Sequence, residues 1–483
     1  MKIAIIGSGL AGMASGIRLA SKGHEVDVYE SKSIPGGKIS EIHDNGYRFD
    51  TGPSLITLPY LIEELENLVE GSDKLELVKF DKVCKYFFND GSVLDAYADP
   101  LRFAKEAEKE LQVGKKRILR YLKHTEKLFN FTRPIFLEKS LHKLSTYFTL
   151  TMLKSLQYIH KYHIFRSVHD VNKKYLKDYR MVQLFDRFAT YNGSNPYKTP
   201  GIMAIIAHLE HNIGLFLPKN GMNDLISYLQ SLALKKGVKF HFNSKVEKIR
   251  VSKSHVKGIQ VNDQKIDYEA VISNADIYYT YQKLLPEKTI PIKLQQHELS
   301  SSAIIFYWGV KRESPSLDTH NVLFSEDYKA EFEALYKRKE LYHDPTIYIF
   351  ISSKFNKYDA PDGCENWYVM VNSPVNEGQN WKDWLAKSKK IVLDKIKKRL
   401  DINLDTSIET EKIIDPSLLE EYTSSFKGAL YGPSSNSLFS AFLRHPNFSG
   451  KIKGLYFCGG SVHPGGGIPL CLLSAKIVSE LIN

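Results

Sequence analysis

The chain has 483 residues, 43% of them hydrophobic and 25% charged, the balance of a folded protein too long for one core, so two or three domains are expected. Its 66 basic and 55 acidic residues leave a net charge of +11, which suits nucleic acid, an anionic membrane or an acidic ligand and selects none of them. Cys84, Cys364, Cys458 and Cys471 form no CxxC pair, which argues against a zinc site or a disulfide framework, and no apolar run approaches the roughly 20 residues of a spanning helix.

Lys2-Ile3-Ala4-Ile5-Ile6 reads as a strand with no signal peptide before it, and a reducing, cytoplasmic compartment is the expectation. Gly7-Ser-Gly-Leu-Ala-Gly12 follows, then helical spacing through Met13, Ile17 and Ala20, a stop at Gly23, and a second strand ending at Glu30. Residues 99–177 read as helical and basic, with a break at Pro134. Strands are predicted at Val238–Phe242, Val246–Val251 and Ala270–Ile272, and a separate sheet from Ala303–Trp308, Thr346–Ile351 and Trp367–Val371. A lysine-coated helix follows through Trp381, Leu385, Val392 and Ile396. The chain returns to a strand at Leu455–Phe457, a glycine-rich loop and a last helix from about Leu470 to Leu481.

Gly7-x-Gly9-x-x-Gly12 between a strand and a helix, with Glu30 closing the next strand, is the arrangement that cradles a dinucleotide. The glycines permit the tight turn, the approach of a pyrophosphate and close helix packing, the helix end supplies amides, and the carboxylate suits a ribose. Pro35-Gly36-Gly37-Lys38 and Gly46-Tyr-Arg-Phe-Asp-Thr-Gly52-Pro53-Ser54 lie downstream, and Gly454-Leu-Tyr-Phe-Cys-Gly-Gly-Ser-Val-His-Pro-Gly-Gly-Gly-Ile468-Pro469 near the end. With Tyr191–Pro196 and Gly214–Met222 between them, these blocks resemble the FAD-dependent carotenoid desaturases of bacterial phytoene desaturase type, and most closely the flavobacterial hydroxycarotenoid 3,4-desaturases. The chain departs from that pattern at Lys38, where arginine is usual, at Asn220, which replaces the first glycine of a pair and is expected to keep its left-handed turn, and at Val462 and Gly466.

The resemblance implies an α/β fold: a Rossmann-type FAD-binding domain like that of the two-domain amine oxidases, an α+β substrate domain and a helical membrane-facing region. It implies a discontinuous FAD-binding domain from 1–98, 200–290 and 425–483, a helical substrate and membrane region at 99–199, and a sheet-containing substrate domain at 291–424. It assigns FAD contacts to Gly7, Gly9, Gly12, Glu30, Gly37, Lys38, Gly52, Pro53, Met222, Val246, Gly460, Gly467 and Ile468. The implied reaction removes an allylic hydride and a proton from a carotenoid end, most closely 3,4-desaturation of a 1-hydroxycarotenoid such as 1'-hydroxy-γ-carotene, with an acyclic carotene such as phytoene as the alternative. A prenyl-lipid binder of the same fold without redox chemistry is the competing class.

Conjugation in the substrate spreads positive charge, so strong acid–base catalysis is not demanded. His463, beside the flavin loop, and Arg166 and Asp170, an i,i+4 pair, are the candidate catalytic residues, against plainer readings as a loop-ordering hydrogen bond and a solvated helical pair. Expected partners are the carotenoid, the inner membrane face as a peripheral contact, and oxygen or a quinone as electron acceptor, with neither metal nor nucleic acid. Lys139, Lys143, Lys154, Lys161 and Arg166 lie in an acid-free stretch where Leu141, Leu144, Phe148, Met152 and Ile159 approximate one helical face, a candidate for that contact.

Overall fold

A computed structural model describes residues 1–149, 161–286 and 290–482. Its first layer is a parallel sheet of β1 (Lys2–Ile6), β2 (Glu25–Tyr29), β3 (Lys239–His241), β4 (Ala270–Ser273) and β5 (Leu455–Phe457), in the order β5-β4-β1-β2-β3. Alternation in β1 explains how both faces are covered. Ile3 and Ile5 enter the core with helices α1 (Leu10–Ala20), α2 (Asn223–Lys235) and α3 (Ile468–Leu481), while Ala4 and Ile6 pack against an antiparallel sheet of Val246–Ser252, His255–Val261 and Gln264–Asp267. The helix α1 packs on both α2 and α3, which brings the two ends of the chain together.

The second layer is a seven-stranded sheet in the order Ile408–Ile414, Ser302–Val310, Glu365–Ser373, Ile347–Ile351, His320–Leu323, Lys82–Phe87, Val93–Tyr97. It is antiparallel except between His320–Leu323 and Lys82–Phe87. One face, with Phe306, Trp308, Ile349 and Trp367, is sealed by helix Trp381–Leu400 through Val392 and Ile396. The other, with Ile305, Tyr307, Phe350 and Tyr368, joins the core shared with the parallel sheet. Residues 82–97 therefore do not belong with the flavin sheet, as a boundary at 98 implies: both strands are hydrogen-bonded into the second sheet.

Helix Lys115–Thr132 ends where Pro134 removes a backbone donor, and a single π turn, Arg133–Leu137, follows. The expected helical face over 139–166 is not formed where the chain is described. Leu144–Phe148 makes one 3₁₀ turn, and the next α-helix among the described residues is Val168–Leu176. Thr146 Oγ1 donates to Ser140 O (2.7 Å) and Tyr147 Oη to Leu141 O (2.8 Å), side-chain bonds that compete with a helical ladder. Leu141 is buried, whereas Phe148 is 85% exposed. Lys154, Met152 and Ile159 fall outside the described residues. Among those described, no helix is long and apolar enough to cross a membrane.

Candidate active site

Gly7 turns the chain out of β1, and its amide donates to Tyr29 O (2.8 Å). A Cβ on Gly12 would lie 2.2 Å from Gly7 O, so only glycine lets α1 press this close to the turn. The second glycine pair stacks on the first: Gly36 N donates to Ser8 O (3.1 Å), and Gly37 lies against Gly9. Gly52, at φ +88°, packs where a Cβ would meet Lys38 O at 2.3 Å, and Pro53 follows half-buried.

Two helix ends at this cleft carry no side-chain cap, α1 at Gly9 and α3 at Gly467, and a Cβ on Gly467 would meet nothing within 4 Å. Helices Pro100–Leu111, Val168–Leu176 and Tyr179–Asp186 are instead capped by Asp99, Ser167 and Asp178. The uncapped amides and positive dipole ends of α1 and α3, the latter starting at Ile468, fit the anionic and carbonyl oxygens of a flavin dinucleotide.

Glu30 ties the first turn to the end of β2, accepting from Ser8 N (3.0 Å) and Ser8 Oγ (2.8 Å). Its carbonyl accepts from Ser244 N (2.8 Å), which brings Val246 beside it. Met222 N donates to Asp50 Oδ2 (3.0 Å), and Asp50 Oδ1 accepts from Arg48 Nη2 (2.7 Å), which welds the start of α2 to the hairpin Ser40–Thr51. Gly221, at φ +101°, makes the turn expected of Asn220, whose side chain instead donates to Asp224 Oδ2 (2.7 Å).

The side chain of Lys38 is accessible, but the space it faces is enclosed by protein. Its Nζ donates to Leu430 O (2.7 Å). Burial pushes this ammonium down and the Asp276 carboxyl up to about 6, each opposed by the other's charge.

The loop after β5 is held from behind. Asn274, at the end of β4, donates to Gly7 O (3.2 Å) and lies against Gly459, linking both glycine loops. Arg444 is fully buried. Its Nη1 donates to Tyr431 O (3.0 Å) and Gly460 O (3.2 Å), its Nη2 to Ser435 Oγ (3.3 Å), and burial pushes its guanidinium down to about 10. Beside it lies a small cavity of about 30 Å³, lined by Phe136, Leu137, Met203, Phe442, Pro464 and Leu470 among others.

His463 is an anchor of this loop. Its Nε2 donates to Lys139 O (2.9 Å), its Nδ1 has no partner, and burial pushes its pKa down to about 4, so the ring is neutral and occupied. Arg166 and Asp170 are both exposed. Asp170 is the N3 residue of a capping box with Ser167 (Oγ to Oδ2, 2.7 Å), and Arg166 precedes that helix. Asn274 and Arg444 are supporting residues that the sequence did not single out, and Asp50 stood in the block 46–54 without a role, because each has a partner outside its local stretch of chain.

A parallel nucleotide-binding sheet with two stacked glycine turns, sharing its core with a second sheet, defines a flavoprotein oxidoreductase of the amine oxidase type, whose cofactor is FAD. Residues 10–483 match the flavin containing amine oxidoreductase family, and the chain belongs to that family. It is 47% identical over 482 residues to a 1-hydroxycarotenoid 3,4-desaturase of Flavobacterium sp., covering 100% of this chain and 99% of that one. It is 30% identical to a phytoene desaturase of Phycomyces blakesleeanus, over 99% of this chain and 85% of the other. Its fold is similar to that of an oxidoreductase from Methanosarcina mazei (TM-score 0.67, 17% identity, covering 99% and 100% of the two chains). It is also similar to cyclohexylamine oxidase from Brevibacterium oxydans (TM-score 0.59, 14% identity, covering 100% and 98%).

Proposed function

We propose that this chain is an FAD-dependent carotenoid desaturase that introduces a 3,4 double bond at the 1-hydroxylated acyclic end of a carotenoid such as 1'-hydroxy-γ-carotene. The end-to-end 47% identity to the Flavobacterium enzyme carries this reading. FAD, when bound, would supply the two-electron acceptor for the allylic hydride, and the C=C would form as the neighbouring carbon loses its proton to a weak base. The chain's own residues bind, orient and exclude water. The uncapped end of α3 favours negative charge, Asn274 and Arg444 fix the loop, and the apolar face of the second sheet closes the cleft. The neutral, tethered ring of His463 accords with chemistry that needs no strong base.

Purified protein reconstituted with FAD and lipid and given phytoene, γ-carotene or 1'-hydroxy-γ-carotene separately tests the reading. Conversion of the hydroxylated carotenoid is expected, and conversion of phytoene alone refutes it. A protein that takes up no FAD favours the lipid binder, and the same assay with oxygen or a quinone identifies the acceptor.

A bilayer-borne substrate calls for peripheral contact with the cytoplasmic membrane face. The exposure of Phe439 (74%) and Leu443 (39%), flanking the cavity-lining Phe442, supports that contact. Liposome flotation of the Phe439→Ser, Leu443→Ser double variant is expected to show weakened binding, and unchanged flotation removes this patch from the contact.

A further inference from the structure

The wall of this apolar site carries a chain of polar groups. Tyr348, on the cleft-facing side of its strand, has its Oη 2.6 Å from Ser54 Oγ and 2.8 Å from His320 Nδ1. Ser54 stands two residues after Gly52, in the turn packed on Lys38 O, so the hydroxyl chain starts at the flavin side of the cleft and ends inside the second sheet. Ser54 and Tyr348 are both half-buried, whereas His320 is buried, stacked on Phe350 (4.9 Å between centroids) and pushed by burial to a pKa of about 3. Behind them Glu210 accepts from Tyr191 Oη (2.5 Å) and pairs with Arg187 (3.3 Å), whose Nη2 also donates to Tyr86 Oη (2.6 Å).

A pure hydrocarbon gains nothing from such a wall, and buried polar groups cost free energy unless they are bonded. The valences leave His320 Nε2 buried without a partner and, on the half-buried side, one place at Ser54. If His320 Nδ1 accepts from Tyr348, Ser54 donates to Tyr348 and keeps a lone pair to accept with. If Nδ1 donates, Tyr348 donates to Ser54, whose own O–H is then left to donate. A tertiary alcohol, donor and acceptor at once, matches either state.

Position agrees with this. A hydroxyl on C1 is three bonds from C3, so it lies within about 4 Å of a reacting carbon at roughly 1.5 Å per bond, and its partner must stand close to the glycine turns that would hold the flavin. Ser54 follows Gly52 by two residues, in the turn packed on Lys38 O beside the second glycine pair.

We propose that Ser54 and Tyr348, with His320 as the positioning residue, bind the hydroxyl of the substrate and set selectivity for hydroxylated carotenoid ends, an inference that rests on the desaturase reading above. Tyr348→Phe and Ser54→Ala each remove one oxygen. Each is to be compared with the parent holoenzyme in lipid micelles, using 1'-hydroxy-γ-carotene and γ-carotene. The readouts are equilibrium binding, followed by carotenoid absorption with the flavin kept reduced, and kcat/KM under turnover.

Each variant is expected to lose about 10–100-fold on the hydroxylated compound in both readouts and to stay within about 3-fold on γ-carotene, so that the selectivity ratio collapses. The flavin spectrum of each variant reports folding, and equal losses on both compounds, or an unchanged ratio, overturn the proposal. A parent enzyme that favours γ-carotene overturns the desaturase reading and the proposal together. A selective parent with equally selective variants overturns the proposal alone.

Discussion

The departure at Gly466 gives the sharpest test of how the flavin loop is packed. A Cβ built there would lie 2.7 Å from Tyr431 Cδ1, 3.0 Å from its Cβ and 3.2 Å from its Cα, and Gly466 is not among the residues with left-handed φ, so the cost of alanine is steric. The backbone of Tyr431 cannot easily retreat, since its carbonyl accepts from Arg444 Nη1 (3.0 Å) and its amide donates to Ser300 Oγ (3.0 Å). Overpacking of this kind costs about 1–3 kcal/mol. Tyr431→Ala removes the tightest contact, that to Cδ1, and keeps those to Cβ and Cα, so the double variant Gly466→Ala, Tyr431→Ala is expected to be more stable than the sum of the single changes by about 1 kcal/mol. Urea unfolding of the four holoproteins, followed by release of flavin fluorescence, measures the cycle. Additivity within about 0.5 kcal/mol refutes the argument.

Gly12→Ala places a methyl 2.2 Å from Gly7 O and is expected to yield protein that purifies without flavin; a normal yellow spectrum contradicts the assigned packing. Asp170→Ala breaks a capping box and is expected to cost about 1 kcal/mol of stability with kcat and KM unchanged, and a tenfold drop in kcat would restore a catalytic role. His463 has its pKa lowered from 6.5 to about 4, so between these values the unfolded chain binds the extra proton. Its contribution is whole above pH 6.5 and is lost as pH falls through 4. Unfolding midpoints at pH 7, 5.5 and 4.5 are expected to fall, and less steeply in His463→Gln; parallel slopes refute the assignment.

The strand, turn, helix and strand of the first 30 residues were legible because every signal there is local: alternation, three glycines, helical spacing and a closing carboxylate. The strands at Ser302–Val310, Ile347–Ile351 and Glu365–Ser373 announced themselves in the same way through β-branched and aromatic runs. The partners of Lys82–Phe87 did not, since its parallel neighbour lies more than 230 residues away at Asn321–Leu323. Over residues 139–149 the apolar spacing does not become a regular helix, since Thr146 and Tyr147 spend their hydroxyls on nearby carbonyls. Ser54 joined Tyr348 and His320 only when the turn after Gly52 met the second sheet, and no spacing along the chain encodes that meeting.

The parallel sheet has a consequence for biosynthesis. Its central strand, β1, is among the first residues made, but β5 and the helix end at Gly467 arrive about 450 residues later, a delay of roughly 20–90 s at translation rates of about 5–20 residues per second. Through that interval the glycine turns after β1 exist without the loop that faces them. A dinucleotide can be clasped only once the last strand has docked, so the cofactor is loaded late, onto a nearly finished chain, and a nascent protein stalled before Leu455 should hold none.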